Sequence, residues 1–261
     1  MNTRQQQIES FGKLLDILDE LRLKCPWDMK QTNESLRPNT IEEVYELCDA
    51  ILDGNNELIK KELGDVLLHI VFYAKIGSEQ SAFDIKSVCD SLCEKLIYRH
   101  PHVFGTEDAQ NSKEVEQKWE LLKLKEKGGN KTVLEGVPSS LPALIKAYRI
   151  QDKARNVGFD WEHREQVWDK VLEEFTELKM EISVMDEDKM EDEFGDLFFS
   201  LINAARLYKI NPEIALERTN RKFISRFNYL EQQTLAKGRA LKDMTLGEMD
   251  AIWNEAKQLG F

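Results

Sequence analysis

Two short acidic motifs recur in this chain at one fixed displacement. Glu42-Glu43-Val44-Tyr45-Glu46 returns as Glu173-Glu174-Phe175-Thr176-Glu177. Glu62-Leu63-Gly64-Asp65-Val66-Leu67 returns as Glu193-Phe194-Gly195-Asp196-Leu197-Phe198, and both pairs are 131 residues apart. A shared register of this kind marks an internally duplicated chain, in which one supersecondary unit is built twice. Further on, Lys95-x3-Arg99 parallels Lys222-x3-Arg226 at a displacement of 127, and Trp119 and Trp253 each begin a closing helical segment. The expected organisation is a first module over 1–126, a linker over 127–142 and a second module over 143–261. The linker is placed where three of the 13 Gly and two of the 6 Pro fall within sixteen residues, a cluster of chain-breaking residues.

The spacing of apolar residues gives the fold class. Ile8, Phe11, Leu14, Leu15, Leu18 and Leu21 recur at intervals of three and four, as do Leu63, Val66, Leu67, Ile70, Val71 and Ala74. Leu197, Phe198, Leu201, Ile202, Ala205 and Leu207 repeat the pattern in the second half. Further helices are expected near 84–98, 112–126, 142–154, 166–184, 212–235 and 246–258, with Gly77 as a helix stop. No series of alternating strands is present. The fold class is all-α.

Composition removes several functions. Lys plus Arg number 36 against 48 Asp plus Glu, a net charge of −12, so a surface built to neutralise nucleic-acid phosphates is not expected. No apolar run nears the ~18 residues of a membrane-spanning helix, and the first residues lack the apolar stretch of a signal peptide. The four Cys, none in a Cys-x-x-Cys pair, are expected as free thiols of a cytoplasmic protein. No His follows a Glu at the Glu-x-x-His spacing of di-iron bundles. Phosphate-binding Gly-x4-Gly-Lys-Ser/Thr loops and Gly-x-Ser-x-Gly nucleophile elbows are also absent from the sequence.

What remains is carboxylate chemistry. Residues i and i+3 share a helix face, so Glu174 and Glu177 point one way, as do Glu193 and Asp196. An antiparallel pairing of the two helices gathers four carboxylates. At ~4 Å each like-charge pair costs on the order of 4 kcal/mol at an effective dielectric of 20, so such a cluster needs protons or cations. All-oxygen ligands favour hard divalent ions such as Mg²⁺, which leaves positions for water and phosphate. The competing reading is a solvated acidic face, with Thr40-x-x-Glu43 serving only as a capping box. Against it, Asp65 and Asp196 sit within apolar stripes and are expected to face a packed interior. Gly64 and Gly195, mid-helix at a cost of about 1 kcal/mol each relative to Ala, suggest close approach of a neighbouring helix or a ligand. Lys222 and Arg226 lie on one face of a locally basic segment and could hold phosphates. Trp253 could stack on a base or belong to a core.

The paired Glu-Glu-x-x-Glu and Glu-x-x-Asp sets do not stand alone. Together with Cys25-Pro26-Trp27-Asp28, Arg99-His100-Pro101-His102-Val103-Phe104 and Asn156-Val157-Gly158-Phe159-Asp160-Trp161, they resemble the MazG family, nucleoside triphosphate pyrophosphohydrolases of the all-α NTP pyrophosphatase superfamily. The resemblance spans nearly the whole chain and is to the two-domain bacterial form. It implies Mg²⁺-dependent hydrolysis of NTPs or dNTPs between the α- and β-phosphates, to a nucleoside monophosphate and pyrophosphate, by modules that associate as homodimers. It implies Glu174, Glu177, Glu193 and Asp196 as Mg²⁺ ligands. Lys170, Lys222 and Arg226 become phosphate contacts, Trp253 a nucleoside contact, and Lys189 and Asp192 pocket residues. Glu173 or Glu174 would accept a proton from water. The first-module counterparts are Glu43, Glu46, Glu62, Asp65, Lys95, Arg99 and Trp119. There, Asn39 stands in place of Lys170, and Lys60-Lys61 in place of Glu191-Asp192. The second module is therefore expected to be the main catalytic one. Two other readings stay open: another helical Mg²⁺-diphosphate enzyme, for which a DDxxD motif is missing, and a non-enzymatic acidic helical scaffold.

Overall fold

A computed structural model describes residues 2–106, 111, 115, 118, 119, 122, 123, 131–236 and 238–261. The described residues form the helices α1 (Arg4–Lys24), α2 (Asn33–Leu52), α3 (Asn56–Glu79), α4 (Ile85–Arg99), α5 (Pro101–Phe104), α6 (Ala143–Asn156), α7 (Val167–Val184), α8 (Glu187–Leu207), α9 (Pro212–Ala236) and α10 (Leu246–Leu259). No described residue is in a strand, and the all-α reading holds. The helix expected over 112–126, and the linker positions 127–130, lie outside the described residues apart from 115, 118, 119, 122 and 123. The chain divides into two compact units, Met1–Asp108 and Ala109–Phe261.

In the first unit α2 and α3 form the central hairpin, and α1 and α4 pack on α3. Leu18, Leu36, Val71, Phe72 and Ile76 are its buried core, with Phe11, Leu14 and Leu15 of α1 against them, as the periodicity of α1 requires. The hairpin turns through Gly54 at φ 64°, a left-handed conformation that glycine adopts without strain, and Asn55 then caps α3. Two expectations are corrected. Helix α2 starts at Asn33, capped by the Thr32 hydroxyl, so Thr40 lies mid-helix and bonds back to the Leu36 carbonyl at 3.0 Å instead of capping. Pro38 sits inside α2 near its start. Helix α3 also runs past Gly77 to Glu79. Gly77 is there because a Cβ would lie 2.7 Å from a Phe83 ring carbon.

The second unit repeats the hairpin with α7 and α8, against which α6 and α9 pack while α10 packs on α9. Its turn is made by Met185, a non-glycine residue at φ 58°, followed by Asp186, whose carboxylate accepts from the Lys189 amide to cap α8. Val167, Leu178, Ile202, Ala204, Leu230, Ile252 and Ala256 are buried. Two arginines fix the segments ahead of the hairpins. In the first unit Arg22 donates to the carbonyls of Asp28 (2.5 Å) and Gln31 (3.2 Å) and to Glu79 on α3. In the second, the buried Arg206 of α8 holds both Asp160 oxygens, at 3.1 and 2.5 Å, and Asn203. Each anchors the Trp-Asp or Asp-Trp segment to its hairpin by charge-assisted bonds.

A candidate metal and phosphate site in each module

The hairpins carry the repeated motifs, and each brings three carboxylates together. On α7 and α8, oxygens of Glu174, Glu177 and Glu193 all lie within 4.8 Å of one another. On α2 and α3 the corresponding set is Glu43, Glu62 and Asp65. Three of four proposed ligands thus meet in each module. Asp196 lies outside the tight group of its module, and Glu46 outside its own. The Asp196 charge still helps to raise the Glu193 carboxyl, after burial and the nearer Glu177 and Glu174.

Their surroundings differ from the expected packed interior. Asp196 is exposed and Asp65 half-buried. The apolar neighbours that suggested burial are themselves open: Leu63 is 52% exposed, Phe194 43% and Phe198 59%. The part of each stripe beside the acidic motif is open, while Val71, Ala74 and Ile202 further along are buried. For the same reason a Cβ at Gly64 or Gly195 would meet no described atom within 4 Å. The close approach those glycines suggest is not made within the described chain.

The buried member on α7 is Glu174, 6% exposed, and its partner is Lys170 one turn earlier, at 2.7 Å. Lys170 also reaches Glu173 at 2.9 Å, and its hydrogen bonds to Glu174 and then Glu173 hold it well above the usual lysine range. Glu193 Oε2 is buried with no hydrogen-bond partner. Partial burial, then the charges of Glu177 and Glu174, push the Glu193 carboxyl up. Glu177 moves the same way, first by desolvation and then by Glu174 and Glu173. Glu43 of the first module is raised by desolvation, Asp65, Glu46 and Glu62, with Lys61 opposing. An unsatisfied buried carboxylate oxygen among other carboxylates, with no soft donor near, fits a hard divalent cation.

Apart from Lys170, the expected phosphate, nucleoside and pocket residues of the second module make no described hydrogen bond or ion pair to the carboxylate cluster. Lys189 pairs with Asp186 at 3.6 Å and approaches Glu181 at 3.9 Å, and Asp192 is exposed. On α9, Lys222 is exposed, and Arg226 donates from Nε to the Phe261 carbonyl at 2.9 Å with its guanidinium 5.9 Å from the Trp253 ring. Trp253 also meets Phe223 at 5.0 Å between ring centroids. No hydrogen bond or ion pair joins Lys222, Arg226 or Trp253 to the carboxylate cluster among the described residues. Lys95 and Arg99 lie on α4 of the first unit, while Trp119, expected as a first-module residue, falls in the second compact unit and is half-buried with the Lys123 ammonium 5.9 Å from its ring.

Two features were missed from the sequence. Lys61 lies on the first cluster, 2.9 Å from Glu62 Oε1, 3.1 Å from Glu62 Oε2, 3.6 Å from Asp65 and 3.9 Å from Glu46. The loss of a lysine at position 39 is thus answered from α3, and the sequence-based reason for ranking the second module first is weaker. The second is a polar tie beside the first cluster. Thr40 Oγ1 is 2.7 Å from His69 Nδ1 and 2.6 Å from the Tyr73 hydroxyl. Position 40 at i−3 from Glu43, and 69 at i+4 from Asp65, were its available signal.

Residues 31–104 and 162–230 match the MazG nucleotide pyrophosphohydrolase domain, so both hairpins fall within matched segments. The chain is 44% identical over 250 residues to a nucleoside triphosphate pyrophosphohydrolase/pyrophosphatase MazG of Thermotoga maritima, covering 95% of each. It is 40% identical over 258 residues to a nucleoside triphosphate pyrophosphohydrolase of Escherichia coli K12, covering 96% of this chain and 98% of the relative. An uncharacterized protein of Bacillus subtilis, YabN, is 45% identical over 252 residues, which are 95% of this chain and 52% of that longer protein. With matched carboxylate hairpins in both halves and end-to-end similarity to these relatives, the chain belongs to the MazG nucleotide pyrophosphohydrolase family.

Proposed function

We propose that this chain hydrolyses nucleoside triphosphates between the α- and β-phosphates, releasing a nucleoside monophosphate and pyrophosphate with Mg²⁺ as cofactor. The observation that carries the reading is the carboxylate cluster on each hairpin, with the orphaned Glu193 oxygen in the second, in a chain of this family. Glu174, Glu177, Glu193 and Asp196 would hold the cation in the second module, and Glu43, Glu46, Glu62 and Asp65 in the first. Bound there, Mg²⁺ would supply Lewis-acid polarisation of phosphoryl oxygens.

The chain's own residues do the rest. Glu173 is exposed and hydrogen-bonded to Lys170, and would accept the proton of an attacking water, with Glu174 as the alternative acceptor. Lys170 keeps its charge at neutral pH and offsets the negative charge that develops on the phosphates. Lys222 and Arg226 would contact phosphates, Trp253 the nucleoside, and Lys189 and Asp192 the pocket margin. None of these has a described hydrogen bond or ion pair to the cluster, and a second copy covering the exposed Phe194 and Phe198 side chains would complete the enclosure as a homodimer. The working organisation we propose is two modules, 1–126 and 143–261, joined by 127–142. The net charge of −12 argues for mononucleotide rather than nucleic-acid substrates. No described helix is long and apolar enough to cross a membrane, and all four cysteines are free, which supports a cytoplasmic setting.

The test is product analysis. Purified protein incubated with a panel of NTPs and dNTPs and Mg²⁺ should release pyrophosphate and monophosphate, and EDTA should abolish the reaction. Orthophosphate and nucleoside diphosphate as first products overturn the reading.

A further inference from the structure

The two acidic clusters are met by cations in different ways. Of the four proposed ligands in the second module, only Glu174 is within ion-pair distance of a described cation, Lys170 at 2.7 Å. Glu193 keeps an oxygen buried with no partner. In the first module the counterpart of Glu193 is Glu62, 5% exposed, and Lys61 lies near both of its oxygens, at 2.9 and 3.1 Å. The same ammonium reaches Asp65 at 3.6 Å and Glu46 at 3.9 Å, so it spans three of the four carboxylates. The sequence difference behind this is a double exchange. Lys170 is replaced by Asn39 on one helix, and Asp192 by Lys61 on the other. One cation has moved across the hairpin and one anion has been lost from the first cluster's rim.

An ammonium that bridges three carboxylates occupies the electrostatic role a divalent ion would take, and the two compete for the same oxygens. We propose that Lys61 is a resident counter-ion of the first acidic cluster which a divalent ion must displace, so that this cluster binds metal more weakly than the second and needs none to hold its hairpin together. The inference rests on the reading of both clusters as metal sites.

The experiment uses the full chain with the second cluster silenced by Glu177→Gln and Glu193→Gln, and follows Mn²⁺ binding by calorimetry and by the resonance signal of the free ion. In that background Lys61→Gln should tighten Mn²⁺ by about tenfold, the effect of removing one charge roughly 4 Å from a partly solvated site. Lys61→Arg, which keeps the charge, should leave the affinity near that of the parent. With EDTA, Lys61→Gln should melt at a lower temperature than the parent, and saturating Mn²⁺ should close the gap. The Lys61 side chain is 60% exposed, so its replacement leaves the core intact. Asn39→Lys supplies an independent arm, since a second ammonium at the cluster should weaken Mn²⁺ further. Unchanged or weaker binding in Lys61→Gln overturns the proposal while leaving the metal reading in place. If no variant binds Mn²⁺, the metal reading of this cluster fails and the proposal fails with it.

Discussion

The Thr40 hydroxyl lies 2.7 Å from His69 Nδ1, tying α2 to α3 one turn from the first carboxylate cluster. At the displacement of 131 the second module has Val171 and Ser200 in these positions, with Ala204 for Tyr73. Thr40→Val keeps the shape and removes the shared hydroxyl, leaving the buried His69 and half-buried Tyr73 groups without it. The expected loss is about 1–3 kcal/mol of stability, the usual cost of an unsatisfied buried polar group. Val171→Thr should change little. Denaturant melts of both variants check the contrast.

The same histidine gives a pH dependence. Burial holds His69 below its ordinary value, with the Asp65 charge acting in the opposite sense. Its folded value is therefore below its unfolded one, and the unfolded chain takes up the proton first. The contribution is complete above the unfolded value near ~6.5 and is lost as pH falls from there through the folded value. Stability should decline over that window, and His69→Gln should flatten the decline.

In the second module the sign is reversed. Glu177 and Glu193 are raised by desolvation and by neighbouring carboxylates, so their ionisation opposes folding. Their contribution is fully favourable below the unfolded carboxylate range and is lost as pH rises through the folded values. With EDTA, lowering the pH from neutrality should raise the melting temperature of this module, before general acid effects set in. Mg²⁺ should remove the trend, and so should Glu193→Gln in the absence of metal. A melting temperature that falls monotonically in both conditions would contradict the arrangement.

Asp196→Asn isolates the fourth proposed ligand. Because Asp196 is exposed and acts on Glu193 through its charge, the metal-free protein should change by less than ~0.5 kcal/mol or gain slightly. Mg²⁺ affinity and turnover should fall by about tenfold or more, since an amide is a poorer ligand for a hard cation than a carboxylate. Titration of Mg²⁺ against activity and melting temperature reads both effects.

Gly195→Ala tests the open part of the stripe. With open space at its Cβ, the exchange should add up to ~1 kcal/mol of helix stability within the module. A gain in melting temperature accompanied by loss of self-association, measured by light scattering, would place a second copy against that glycine. Unchanged association would remove it from any interface.

The helices were legible because their apolar spacing is regular: α6, α7, α9 and α10 begin and end within about two residues of expectation. Carboxylate positions followed from the same periodicity, which put Glu174 beside Glu193 once the hairpin closed. Burial was not legible. Asp196 among Leu197, Phe194 and Phe198 reads as interior, yet Asp196, Phe194 and Phe198 are exposed, because periodicity identifies an apolar face without saying what covers it. Thr40 misled for a related reason, since its capping pattern is real but Thr32 captures the start of the helix eight residues earlier. Lys61 was visible only as a departure from the repeat. Its contacts depend on the hairpin geometry that sets a residue of α3 against Glu46 of α2.

The turn at Met185 and Asp186 has a consequence for how the chain acquired its two sites. Because so short a connection joins the helices, all four acidic side chains of a module arise from one continuous stretch, Glu174 to Asp196 in the second and Glu43 to Asp65 in the first. Contacts this local close only a short loop, so bringing the carboxylates together costs little chain entropy. Copying a single segment of sequence therefore carries a whole carboxylate set with it. The two copies need not then stay alike, and at the matched positions they differ as Lys170 against Asn39 and Asp192 against Lys61.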